Sequence, residues 1–241
     1  MAKEIPCPLT TARFISDIDR QLAELGLTVI CSTDFGEFDE VCSGLSGKDE
    51  ASEYFSPRFF EITPRDGLWL RALDEAGATV HVQAMRVDRL DGMTLAEHWR
   101  QRFRRLFEER QQGVTWDGTT SPIAEEITGT VVYHGDMYVS RDLPQKGLSG
   151  PLAHVALGLA LSKWEPDYVY GFVDYRYVRH GLTIREGYTH TQRFCAGWIN
   201  APEGIQADES IVWMTRDDLI YLTKRPLEWQ PQAQIRSALH S

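Results

Sequence analysis

The 241-residue chain is 42% hydrophobic and has 35 acidic against 25 basic side chains, a formal net charge of −10 at pH 7. That apolar content supports a packed core and excludes wholesale disorder, and the acidic balance argues against broad binding to nucleic acid or to anionic membranes. No apolar run nears the roughly 20 residues that span a bilayer; the N-terminal MAKEIPCPLTTARF lacks an apolar signal core, so a cytoplasmic protein is expected.

Phe14, Ile18, Leu22 and Leu25 recur at spacings of four, four and three, which predicts a helix over about residues 12–25. Thr10 or Thr11 would cap it and Gly26 would stop it. Leu27–Cys31 reads as a short strand. Residues 1–56 hold eleven Asp/Glu against four Lys/Arg, a local net of −7. The Ser- and Gly-rich part of this region, 32–56, reads as a solvated, mobile segment; its functional reading is a lid that attracts a cationic acceptor. Arg58–Thr63 and Leu68–Leu73 read as strands. After a turn at Asp74–Gly77, Thr79–Val87 returns to complete an antiparallel hairpin. Alternation puts Val80, Val82 and Ala84 on one face and His81, Gln83 and Met85 on the other.

Leu95–Arg110 has the pattern of an amphipathic helix. Leu95, Trp99, Phe103, Leu106 and Phe107 form its stripe, and Arg100, Arg102, Arg104, Arg105 and Arg110 its solvated side. Residues 111–127 read as a loop. Thr128–Val139 is a β-branched and aromatic strand, Arg141–Gly150 a Gly- and Pro-containing turn, and Leu152–Trp164 a helix apolar on nearly every face. Tyr168–Val173 is a buried strand, and Tyr175–Ile184 forms one more helix before Gly187-Tyr188. Strands alternating with helices in this way predict a βαβ crossover with two parallel strands. Thr189–Asn200 and Ser210–Trp213 are strand candidates, and Thr215 with Asp218 has the spacing of a helix capping box. One domain over 1–241 is expected, with residues 1–57 an N-terminal helix plus acidic variable segment and 58–224 its core.

The order of elements over about residues 58–224 resembles the GNAT superfamily of N-acyltransferases: a hairpin at 68–87, a central strand at 130–139, a glycine-containing turn at Gln145–Gly150, a helix at 151–164, a diverging strand at 168–173, and Gly187-Tyr188 closing a short helix. The resemblance implies an α/β (α+β) fold, a mixed, mostly antiparallel sheet flanked by helices, that binds acyl-CoA, usually acetyl-CoA, as co-substrate. The pantetheine would run between the strands at 130–139 and 168–173. Backbone N–H groups of Gly147, Leu148, Ser149 and Gly150 would converge on the pyrophosphate at a helix N-terminus. Gln145 opens the turn, Val139 ends the strand beside it, and Arg141 and Lys146 add charge-assisted bonds. Two positions depart from the family: Leu148 stands where a Gly is expected when Gln145 and Gly150 are aligned to the ends of the turn pattern, and Thr183 stands where many members have a Tyr acid.

Acyl transfer to an amine needs a base for the nitrogen and an acid for the thiolate. His134, Asp136 and Tyr138 lie at spacing two, on one face of the strand unless a bulge intervenes, and Gly135 marks where one would form. Asp136 or His134 is the candidate base. Thr183 is a poor acid, so Tyr188, Tyr177 or water takes that part. His134 and Asp136 also fit a satisfied structural pair at a strand bend. Two other readings stand beside this one. His134-x-Asp136 with a distant His180 or His190 has the composition of a non-haem iron oxygenase triad, and the departures at Leu148 and Thr183 fit a GNAT-like module that binds acyl-CoA or another protein without turnover. No Walker loop, H-E-x-x-H, G-x-S-x-G elbow or Rossmann fingerprint is present, and no resident metal is expected. Cys7, Cys31, Cys42 and Cys195 lack C-x-x-C spacing and read as small, buried or half-buried thiols. The expected acceptor is a small amine-bearing metabolite, with no nucleic-acid or membrane partner; a homodimer is compatible with this reading.

Overall fold

A computed structural model describes residues 5–48, 50–103, 113–141, 143, 147–201, 206 and 208–225. Its frame is a seven-stranded sheet in the order β1-β2-β3-β5-β6-β9-β7. The strands are β1 (Thr28–Ser32), β2 (Gly67–Leu73), β3 (Thr79–Arg89), β5 (Thr130–Val139), β6 (Tyr168–Val173), β7 (His190–Arg193) and β9 (Ser210–Thr215). Every neighbouring pair is antiparallel except β5 and β6. This is the mixed, mostly antiparallel sheet expected from the sequence, with its 68–87 hairpin and its single parallel crossover in place. β4 (Thr115–Thr120) and β8 (Ala196–Asn200) form a separate two-stranded ribbon.

Each face of the sheet buries an apolar cluster. On one side lies α4 (Ser149–Trp164), apolar all round because the sheet covers one flank while α1 (Pro8–Ala23) and α7 (Arg216–Lys224) cover the other. Gly158 permits the close crossing, since a Cβ there would stand 2.8 Å from Ile15 Cγ1. On the other side α2 (Phe35–Ser43), α3 (Leu95–Phe103) and the segment after α2 bury Phe35, Phe38, Phe55, Trp69, Trp99 and Tyr133.

Several boundaries differ from expectation. α1 starts at Pro8, not residue 12; Pro suits the first turn because its missing N–H would have no helical acceptor there, and Thr10 and Thr11 lie inside the helix. Residues 32–56 are not a mobile solvated tract. Asp34 caps α2 by accepting from the N–H groups of Gly36 and Glu37, and Phe35, Phe38, Cys42, Ala51 and Phe55 are core. Arg58–Thr63 forms turns and coil instead of a strand, and 111–127 contains β4 and a 3-10 turn at Pro122–Glu125. The helix expected over 175–184 is two, α5 (Tyr175–Arg179) and α6 (Leu182–Arg185), broken at Gly181 with φ +68°. The strand expected over 189–200 breaks at Phe194, whose φ of +58° sends β7 and β8 to different sheets. The second half of the Leu95–Arg110 helix, with Arg104, Arg105, Arg110, Leu106 and Phe107, lies outside the described residues. The capping box at Thr215 and Asp218 is formed.

The feature that makes the site is where β5 leaves β6. The two are paired only through Val131, Val132 and Tyr133, opposite Tyr168, Val169 and Tyr170. Beyond that β5 stays with β3 but bulges: Ala84 pairs Gly135 and Val82 pairs Tyr138, so two steps along β3 match three along β5. Asp136 takes the extra position at φ +53°. β6 meanwhile continues along β9 to Val173. At the fork Gly171 lies tight against β5, and a Cβ on it would stand 2.7 Å from the His134 carbonyl oxygen. Gly171→Ala is therefore expected to push β6 off β5 and to destabilise the protein by about 1–3 kcal/mol, measured by urea unfolding; a neutral or stabilising change would mean the fork is not closely packed.

Candidate active site

The fork opens into a cleft of about 790 Å³. Its β5 wall carries His134, Gly135, Asp136, Met137 and Val139; its β6 wall carries Gly171, Phe172 and Val173. The start of α4 at Ser149, with Gly147 and Leu148 before it, stands at its rim together with Arg141. Leu182 and Glu186 of the α6 segment, Tyr188 after it, Asp174 and Tyr177 at the start of α5, and Lys48 also line it.

Of the positions singled out for the co-substrate, Val139, Arg141, Gly147, Leu148 and Ser149 all border this cleft. Gly150 sits behind them, where a Cβ would be 2.7 Å from the Arg185 carbonyl; its lack of a side chain lets α6 abut the start of α4. Gln145 and Lys146 lie outside the described residues. Gly147 has φ +65°, a left-handed conformation that an L side chain adopts at a cost. Ser149 and Gly150 open the helix, so their N–H groups have no intrahelical acceptor. The positive end of a 16-residue helix thus faces the cleft.

At the apex His134 and Tyr188 meet. Tyr188 Oη lies 2.9 Å from His134 Nδ1, and His134 Nε2 lies 2.9 Å from Gln83 Oε1. Gln83 Nε2 donates to the Leu152 carbonyl at 2.7 Å, which turns its oxygen toward the imidazole. An amide oxygen only accepts, so His134 Nε2 carries the ring proton and Nδ1 is left as an acceptor. The Tyr188 hydroxyl therefore donates to Nδ1, and its lone pairs face away from the imidazole. Burial pushes His134 down to about 4, which keeps the ring neutral, and pushes the Tyr188 phenol well above its usual value. Tyr188 is positioned by Gly187, whose φ of +96° ends α6, with the Tyr188 N–H bonded to the Thr183 carbonyl.

Asp136 does not join this pair. The bulge anticipated at Gly135 sends it to the other face of the sheet, so the common face expected for His134, Asp136 and Tyr138 is not formed. Asp136 Oδ2 accepts from the Ser52 N–H at 2.8 Å and Oδ1 lies 3.5 Å from Lys48 Nζ. Tyr138 donates to the Ser46 carbonyl on the same side. Arg86 of β3 reaches the Tyr54 carbonyl, so the segment after α2 is pinned to the sheet at several points. The iron-triad arrangement is not assembled either, since His190 pairs with Asp218 at 3.1 Å and stacks on Trp213 at the sheet's edge. Among the described residues no group of three His, Cys, Asp or Glu side chains is arranged to hold a metal ion. Nor is any described helix long and apolar enough to cross a membrane.

The N-terminal carboxylates act locally. Asp34 caps α2, Glu37 lies 3.5 Å from Arg71, and Asp39 accepts from the Ala51 N–H. Thr183, at the position where the family resemblance places a Tyr, is buried. Sequence reasoning passed over Glu186, which is 5% exposed, borders the cleft, and has Oε1 without a hydrogen-bond partner. The available signal was its place four residues after Leu182, one helical turn on, immediately before Gly187-Tyr188.

No protein-family profile matches the sequence, and no curated protein does. Solved structures with a similar chain path include Arabidopsis thaliana NAA60 in complex with acetyl-CoA, at 11% identity over 78% of this chain and 98% of that one, with a TM-score of 0.46. A chimera of the spermidine N-acetyltransferase SpeG from Vibrio cholerae and hSSAT is 9% identical over 81% of this chain and 99% of that one, with a TM-score of 0.47. A GNAT superfamily phosphinothricin acetyltransferase from Sinorhizobium meliloti in complex with AcCoA is 15% identical over 79% of this chain and 88% of that one, with a TM-score of 0.43.

Proposed function

We propose that the chain transfers an acyl group from acyl-CoA to an amine. The observation that carries this reading is the fork between β5 and β6, with a helix N-terminus at the rim of its cleft and a hydrogen-bonded Tyr188–His134 pair at its apex. Parallel strands that part after three residue pairs leave backbone groups free to bond an extended, amide-containing chain, which a pantetheine arm is. The N–H groups at Gly147, Leu148, Ser149 and Gly150 suit the pyrophosphate, with Arg141 beside them. The acyl-CoA supplies an activated thioester at the apex.

The hydrogen-bond polarity supports a reading of the protein's part. With its own proton directed at His134 Nδ1, Tyr188 Oη presents lone pairs to the cleft and receives the proton of the attacking nitrogen. Its phenolic proton passes to Nδ1 while Gln83 Oε1 holds the Nε2–H. Buried and neutral, this relay stays in one tautomer between turnovers. Asp136 has the role of a positioning residue: it ties the Lys48 segment to the bulge and so shapes the face from which a small amine reaches the apex. A module that binds acyl-CoA without turnover is the second reading, favoured by Thr183 standing where an acid is expected and by Leu148 in the turn.

Following free thiol release with acetyl-CoA and a panel of small amines tests transfer; stabilisation by acyl-CoA in a thermal shift without any turnover would favour the binder. Tyr188→Phe should lower kcat about 100-fold or more while leaving acetyl-CoA affinity unchanged by calorimetry, and an unaltered kcat would remove the relay. Gly147→Asp adds a negative side chain at a left-handed position beside the phosphates and should weaken acetyl-CoA binding at least about tenfold, roughly 1.4 kcal/mol. Unchanged affinity would take the α4 turn out of the site.

A further inference from the structure

A proton relay that accepts from the amine leaves the departing sulfur without a donor in the Tyr188 hydroxyl, which is turned to His134, or in Thr183, a poor acid; Tyr177 borders the cleft but is 43% exposed. One other ionisable group sits in the cleft in an unusual state. Glu186 closes α6 immediately before Gly187-Tyr188, it is 95% buried by its 5% relative exposure, and it borders the same cleft as Tyr188. Its Oε1 has no hydrogen-bond partner. A carboxylate stripped of water and left unbonded is costly, whereas a neutral carboxyl in such a place is tolerated and holds a transferable proton. Building on the transferase reading, we infer that Glu186 is the general acid that protonates the leaving CoA sulfur.

The step balances. As the C–S bond of the tetrahedral adduct breaks, the electron pair goes to sulfur and the Glu186 proton forms the S–H bond, leaving a carboxylate. The proton lost by the amine, held on the Tyr188–His134 pair, returns to Glu186 before the next turnover, so one amine proton becomes one thiol proton and no other reactant is consumed. Burial pushes Glu186 up to about 7, opposed only by the neighbouring Arg185. The other titratable groups lining the cleft or packed beside it have partners of their own or are held neutral by burial: His134 and Tyr188, bonded to each other; Asp136, held by Lys48; Asp174, bonded to Arg176, whose guanidinium also covers the Tyr177 ring; and His154 of α4, behind Gly187, which burial pushes down to about 4. The acid form prevails below about pH 7 and is lost above it, so the pH profile of kcat should carry an alkaline fall centred near 7.

The test uses the full chain, acetyl-CoA and an amine that the wild type turns over. E186Q should lower kcat about 100-fold, leave the KM for acetyl-CoA unchanged, and abolish the alkaline fall, while E186D, which keeps the carboxyl, should retain a fall. An unchanged kcat and profile in E186Q, or a rise in KM alone, overturns the assignment while leaving transfer standing. If E186Q does not bind acetyl-CoA, the infrared difference between wild type and E186Q decides, since burial also pushes Glu209 up to about 7: a protonated-carboxyl band that disappears near pH 7 in the wild type and is missing from E186Q supports the assignment, and a difference band that disappears near the ordinary carboxylate range overturns it. A wild type that binds acyl-CoA but turns over no amine removes the transferase reading, and this role with it, whatever Glu186 titrates as.

Discussion

Everything in the cleft depends on β5 being unable to follow β6 and β3 at once. Up to Tyr133 it pairs with both. Past that point the extra residue at Asp136 changes its phase against β3 and its direction against β6. A left-handed conformation at a non-glycine residue costs about 1–3 kcal/mol, so the bulge has to be held from outside the strand. The Ser52 N–H and Lys48 do this, and they belong to a segment fixed by α2 and by the stacked rings of Phe35 and Phe55. Gly135 contributes by absence, since a Cβ there would stand 2.8 Å from the Tyr133 hydroxyl. The fork is thus maintained by residues about 84 positions away in sequence.

The second organising influence is desolvation. The cleft lies against a helix that is apolar on all sides, so polar groups near it are either fully bonded or neutral. His134, Gln83 and Tyr188 satisfy one another and a backbone carbonyl in a single directional chain. Glu186, with no such chain to join, is driven toward its uncharged form. The same low-dielectric surroundings therefore give two carboxylates of the site different characters: Asp136 keeps an ammonium and an amide N–H beside it, and Glu186 keeps neither.

The acidic N-terminal region shows why composition is a poor guide to electrostatic purpose. A local net charge of −7 invites the idea of a field for a cationic substrate, yet the carboxylates of α2 cap its N-terminus, pair with Arg71 and bond the Ala51 N–H. These carboxylates are thus engaged in capping the helix and in tying it to β2 and to the segment that follows it. The apolar residues between them, Phe35, Phe38 and Phe55, set the segment's position.

The sequence by itself determined the elements whose patterns are strong and local. Period-two alternation set the hairpin, an all-round apolar run set α4, a continuous apolar hexapeptide set β6, and Thr215 with Asp218 set the start of α7; these rest on contacts within a few residues and on burial that composition reports. It also marked Gly135 as a place for a bulge and Gly187-Tyr188 as a helix end. Only the tertiary structure decided what those features do. Whether His134 and Asp136 share a face depends on the phase of β5 against β3, and the direction of the Tyr188 proton depends on Gln83 and the Leu152 carbonyl, 51 and 69 residues apart from their partners. Glu186 is unusual only because of what surrounds it: a glutamate's charge state is fixed by the water and partners it loses, and neither is written in the residues beside it.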